Sequence, residues 1–98
     1  MSRTLLLALL LAFSARAHAQ DPNAGRALAA TCANCHGTNG HAVGGMPALA
    51  GRPRAELART MREFRDGRPA TIMNQLARGF TDAQIEALSA YLASQPAR

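Results

Sequence analysis

The sequence predicts an all-α fold, with three main helices and a short fourth segment that can be helical. Three observations carry this. No stretch alternates apolar and polar residues with a period of two, so nothing reads as a strand. Apolar residues recur at helical spacing in two segments, Leu57-Met61-Phe64 and Ile85-Leu88 continuing to Tyr91 or Leu92. Glycine- and proline-rich stretches with helix-start and helix-stop signals separate the helical segments.

The elements follow in order. Residues 1–19 read as a signal peptide: Arg3, an apolar run from Leu5 to Phe13, then Ala17-His18-Ala19, which fits a small-x-small cleavage site. The run is nine residues long, well short of the ~20 that span a bilayer, so no membrane span is expected once the leader is removed. The domain is then residues 20–98. Asp21 or Asn23 can cap the first helix, Pro22 suits its first turn, and good helix formers run on to Cys32. Gly37 to Gly51 is loop. Pro53 opens a second helix through about Phe64, with Arg59 and Arg62 on its wet face; Asp66-Gly67 ends it and Pro69 prevents its continuation. Thr71 to Ala77 can form a short helix, which Gly79 breaks. Thr81 and Gln84 form a capping box for the last helix, which Pro96 ends.

Removing 19 residues from 98 leaves a mature chain of 79. A chain this small usually needs a disulfide, a metal or a cofactor to complete its core. Its aromatic residues are Phe64, Phe80 and Tyr91, and much of its apolar content is alanine, which buries little area at ~25 cal/mol per Å². A large apolar cofactor would supply the missing bulk. All 11 basic residues are arginine; with Arg3 and Arg16 lost, the mature formal charge is +3. Nucleic acid is not expected as a partner. The leader predicts export, the arginines form no run, and few aromatics could stack on bases. A solvated arginine-rich face, or a docking face for an acidic partner, suits the charge better.

The chain's two cysteines lie in CANCHG, residues Cys32 to Gly37. A disulfide at this spacing closes too small a loop to stabilise much. A thioredoxin-like motif needs a strand and a sheet, and a zinc site needs further ligands at a recognisable spacing. C-x-x-C-H is the attachment pattern of c-type haem. Cys32 and Cys35 on one helical turn would form thioethers with the two vinyl groups of one haem. His36 would offer a ring nitrogen to the iron, and Gly37 lets the chain turn away. In bacteria this attachment occurs in the periplasm, in agreement with the leader.

The second axial ligand has five candidate answers: Met46, Met61, Met73, His41 or none. Met61 lies on the apolar stripe of its helix and reads as core, where methionine commonly fills gaps. Met46 and His41 are too close in sequence to His36 to cross to the far face, and His41 reads as part of the exposed turn. Met73 lies far enough along to do so and is the preferred candidate.

These segments resemble class I cytochromes c over nearly all of the mature chain, from about Ala24 to Leu92. GRALAATCANCHG resembles the first helix and haem motif, and MPALAG resembles the loop whose proline, here Pro47, lies against the ligating histidine. FRDGRPATIM with LARGFTDAQIEALSAYLA resembles the methionine-ligand segment and last helix. ATIMNQLARGFTD is most similar to the cytochrome subunit of flavocytochrome c sulfide dehydrogenase. The resemblance implies the cytochrome c fold around one covalent haem c, with His36 and Met73 as axial ligands. It implies electron transfer from a flavoprotein sulfide dehydrogenase subunit. It also implies a steep crossing of the first and last helices; the spacing in this sequence puts Gly25 where it can allow close approach and Tyr91 where it covers the crossing or fills core. A free diffusible cytochrome serving other redox proteins is the alternative, and a haem sensor or peroxidase-like enzyme with an open sixth site is a third. Arg52, Arg54 and Arg68 are candidates for haem propionates or a partner surface.

Overall fold

The computed structural model describes residues 22–97, and all its regular elements are helical. The expected signal peptide and the Asp21 cap lie outside the described residues. In order come α1 (Pro22–Ala30), the single turn α2 (Ala33–His36), a 3₁₀ turn (Thr38–Gly40), α3 (Arg54–Arg65), α4 (Met73–Ala77) and α5 (Asp82–Ala93). Three long helices with a short fourth are thus present as the sequence predicts. Among the described residues, no helix is long and apolar enough to cross a membrane.

Two boundaries differ from the sequence reading. The first helix does not run unbroken to Cys32. Thr31 Oγ1 donates to the Leu28 carbonyl at 2.7 Å, a local alternative that competes with helix continuation, and the chain re-enters helix at Ala33. The fourth helix starts at Met73 rather than Thr71, because Thr71 serves as a hydrogen-bonding partner to the turn instead. The other ends follow local signals. α3 closes in a Schellman motif, with Arg68 N–H on the Glu63 carbonyl and Gly67 N–H on that of Phe64, both at 2.9 Å. α5 starts with the expected capping box: Gln84 N–H donates to Thr81 Oγ1 at 3.2 Å and Thr81 N–H to Gln84 Oε1 at 2.9 Å.

α5 is the centre of the fold. α1 and α3 both pack on it, and α4 packs on α3. Its Ile85, Leu88 and Leu92 are almost fully buried, each worth about 1.5–3 kcal/mol. Ala29, Leu57, Ala58, Met61 and Ala77 complete the buried cluster. The α1–α5 crossing is close because Gly25 has no side chain: a Cβ there would collide with the Ala87 carbonyl and lie 3.2 Å from Tyr91 Cβ. Gly25 and Tyr91 therefore sit at the crossing, as their spacing suggested.

Arg62, expected on the wet face, instead bridges α3 to α5. Its guanidinium lies 2.6 Å from Glu86 and 3.6 Å from Asp82; Arg54 joins Glu86 at 3.1 Å and Arg65 joins Asp82 at 2.6 Å. The Arg62 hydrogen bond holds the Glu86 carboxyl below its ordinary range, and that of Arg65 does the same for Asp82. Carboxyl pKa values depressed by folding add stability that is complete above the unfolded values and disappears as pH falls through the folded ones. Glu86→Gln should therefore melt below the parent protein at pH 7, with the gap closing below about pH 4 and narrowing in high salt. Thermal melts of both proteins across pH check this, and an unchanging gap would show that the ion pairs contribute nothing.

The end of the chain is fastened to the loop between the 3₁₀ turn and α3. His41 Nε2–H donates to the Pro96 carbonyl at 2.6 Å, and Gly51 N–H donates to the Leu92 carbonyl at 3.0 Å.

Candidate functional site

The turn that carries the cysteines is built by three backbone bonds. Cys32 N–H reaches the Ala29 carbonyl at 3.0 Å, and the N–H groups of Cys35 and His36 both reach the Cys32 carbonyl, at 3.3 and 2.9 Å. Cys32, Cys35 and His36 thus share one helical turn, as the motif requires. Gly37 follows with φ of +79°, and a Cβ there would run into the His41 backbone, so the exit turn needs glycine. Asn39, also at positive φ, is held by Tyr91, whose hydroxyl donates to Asn39 Oδ1 at 2.7 Å.

Both thiols are free. Burial raises the Cys32 pKa, whereas redox-active cysteines are held as thiolates by a lowered one. Among the described residues no group of three or more His, Cys, Asp or Glu could hold a metal ion, which leaves a structural zinc site without ligands. His36 is buried, and its Nδ1 lies 2.7 Å from the Pro47 carbonyl. A carbonyl can only accept, so Nδ1 carries the proton, and in the neutral ring the lone pair is on Nε2. A second hydrogen bond of this kind fixes the tautomer and orientation of metal-binding histidines. Pro47 thus lies against His36 through its carbonyl.

These groups open onto a cavity of about 620 Å³. Its walls are mostly apolar, with Leu49, Leu57, Phe64, Ile72, Phe80 and Leu88 among them. Cys32, Cys35 and His36 line it together with Met46, Met61 and Met73. The residues fit haem c: two thiols for thioether bonds, one neutral imidazole, thioether donors, and apolar walls around a space too large for this small core to leave unfilled.

The cavity separates some candidates and not others. His41, expected in an exposed turn, is half-buried, does not line the cavity and is committed to Pro96. Met61 is 9% exposed and belongs to the core of α3, though its side chain also reaches the cavity. Met46 is 42% exposed and sits next to Pro47, on the loop that bonds His36. Met73 is half-buried at the first residue of α4. Of the arginines, Arg54 is tied to Glu86, whereas Arg52 lines the cavity 3.5 Å from Glu56, which lines it too. Sequence reasoning missed Asn74, a buried side chain with three hydrogen bonds next to Met73. Its spacing to Thr71, whose N–H donates to Asn74 Oδ1 while the Thr71 hydroxyl accepts the Met73 N–H, was the available signal.

Residues 22–96 match the family model for cytochrome c. The chain belongs to the cytochrome c family. This cytochrome c is 34% identical over 79% of its length to cytochrome c-554(548) of Halomonas halodenitrificans, and spans 99% of that protein. It is 31% identical over 68% of its length to the cytochrome subunit of sulfide dehydrogenase of Chlorobaculum tepidum, of which it spans 62%. A solved structure of Acidithiobacillus ferrooxidans cytochrome c4 aligns with a TM-score of 0.61 at 39% identity, covering 64% of this chain and 37% of that one. The chain spans 28% to 62% of the length of several curated relatives that it matches. Membership of the family confirms the expected all-α cytochrome c fold, and brings with it covalently bound haem c.

Proposed function

We propose that this is a periplasmic cytochrome c with a single haem, carrying single electrons from a sulfide-oxidising flavoprotein subunit to a further redox protein. The observation that carries the reading is the convergence of one C-x-x-C-H turn, a tautomer-fixed His36 and a large apolar cavity. One cysteine pair in the sequence matches one haem. Cys32 and Cys35 would hold the haem through thioethers, His36 and Met73 would hold its iron, and the Pro47 carbonyl orients His36. Met73 is preferred because Met61 is held in the α3 core and Met46 belongs to the loop on the His36 side.

When bound, haem c supplies an iron that cycles between ferrous and ferric states, with methionine ligation favouring the ferrous form relative to stronger donors. The protein's part is to fix both ligands, so that little rearranges between redox states, and to keep water away with Leu57, Phe64 and Phe80. The likeness to the sulfide dehydrogenase subunit supports the donor. The near-complete span of cytochrome c-554(548) supports a second reading, a free carrier with other partners.

Two experiments test these readings. Met73→Ala should abolish the weak sulfur-to-iron absorption of the ferric holoprotein, and Met61→Ala should keep it; the reverse moves the ligand. Purification from the native host should bring down a flavoprotein that reduces this haem when sulfide is added. A cytochrome that purifies alone and is reduced by another donor favours the free carrier. Rapid carbon monoxide binding by the ferrous wild type at neutral pH would replace both with an open-site haem protein.

A further inference from the structure

The segment that delivers Met73 has little to hold it. Arg68, Pro69, Ala70, Thr71 and Ile72 are all exposed, so no side chain in this run is buried in the core. One residue beyond it ties the run down. Asn74 is 8% exposed, and its amide is fully committed. Its Nδ2 donates to the carbonyls of Phe64 and Pro69, both at 2.9 Å, and its Oδ1 accepts the Thr71 N–H at 2.6 Å. Thr71 in turn accepts the Met73 N–H on its Oγ1 at 2.9 Å. The end of α3, the middle of the run and its last turn before Met73 therefore converge on one buried amide.

We infer that Asn74 is the latch that keeps Met73 at the cavity, and so keeps the sixth position closed to outside ligands. The inference rests on Met73 being the axial ligand. The chemistry of the site asks for asparagine: two donor hydrogens and an acceptor on one short planar group. A residue that only filled space would be apolar, like Ala77 and Ile85 in the same core. Burying an amide is unfavourable unless its partners are all met, and here they are. Without them α4, at five residues, is too short to keep its place by its own helical bonds. Ala77 would still anchor the far end of α4 in the core, but Met73, its first residue, would lose the bonds that fix the near end. Asn74 acts through Met73 and is a positioning residue.

The test uses ferric and ferrous holoprotein with three variants. Asn74→Asp keeps the shape and the acceptor but loses both donors, Asn74→Ala removes all three bonds, and Thr71→Val removes the acceptor for Met73 N–H. Three quantities are measured: the pH at which the ferric sulfur-to-iron absorption disappears, the ferrous carbon monoxide association rate, and far-ultraviolet circular dichroism. The expected result for the Asn74 variants is retained helix, absorption lost at least one pH unit below wild type, and carbon monoxide binding at least tenfold faster. Thr71→Val should move both readouts the same way by less. If Asn74→Ala does not fold, Asn74→Asp and Thr71→Val decide. Folded variants that melt lower but keep the wild-type pH midpoint and carbon monoxide rate overturn the latch and leave Asn74 a structural residue. Met73→Ala separates the two levels. If it loses the absorption while the Asn74 variants match wild type, the latch fails and the ligand stands. If Met73→Ala keeps the absorption, the ligand assignment fails and the latch with it.

Discussion

Replacing both Cys32 and Cys35 by alanine leaves a colourless chain that is largely unfolded. The reason is the size of the hole relative to the core. Leu88 and Leu92, two of the three large apolar side chains that are almost fully buried, also face the cavity. At about 24 cal/mol per Å³, leaving 620 Å³ unfilled forfeits on the order of 15 kcal/mol. That is an upper bound, because water can enter the open side. A fraction of it is already comparable to the 5–15 kcal/mol by which domains are typically stable. Alanine is a good helix former, so helix propensity at the two positions does not account for the loss. Absorbance at the Soret maximum and far-ultraviolet circular dichroism check the result. A variant that lacks haem but keeps native helix content would show that the protein core stands without the ring.

Gly25→Val should cost more than a typical core substitution, about 3 kcal/mol or beyond, and Gly25→Ala somewhat less. The new Cβ meets the Ala87 carbonyl, which belongs to the backbone of α5, and backbone cannot rotate aside as the end of a side chain can. Overpacking in cores typically costs about 1–3 kcal/mol. Alanine in place of a helical glycine would otherwise gain about 1 kcal/mol, so a net loss for Gly25→Ala isolates the steric term. Because α1 leads directly into the Cys32 turn, a displaced α1 should also lower the yield of haem attachment. Gly45→Ala is the control, since nothing lies within 4 Å of a Cβ placed there. Thermal melts of the three holoproteins decide. A Gly25→Ala protein as stable as the parent would mean that the helices do not cross closely at this point.

The parts of this fold that were legible in the sequence are those encoded locally. The α3 stripe, the stop at Asp66-Gly67 and the Thr81–Gln84 box each depend on residues a few positions apart, and each appears where expected. The C-x-x-C-H turn is local too. What the sequence did not convey are bonds between distant segments. Arg62 looked like a solvent residue because its partner Glu86 is 24 positions away. His41 looked like part of an exposed turn because Pro96 is 55 away. The sixth ligand falls between these cases. Three methionines line the cavity, so apolar lining alone does not select Met73, and the preference rests on what holds each of the other two.

The fastening of the tail has a practical bearing on how this protein is handled. His41 and Gly51 clasp the last turn of α5 and Pro96, and the same loop carries the carbonyl that orients His36. A load applied through the C-terminus, by an affinity handle or a tether to an electrode, is transmitted into the loop whose carbonyl bonds His36. Voltammetry on molecules anchored that way would report a perturbed potential. Attachment through the exposed flank of α3, at Arg59, leaves that clasp unstressed.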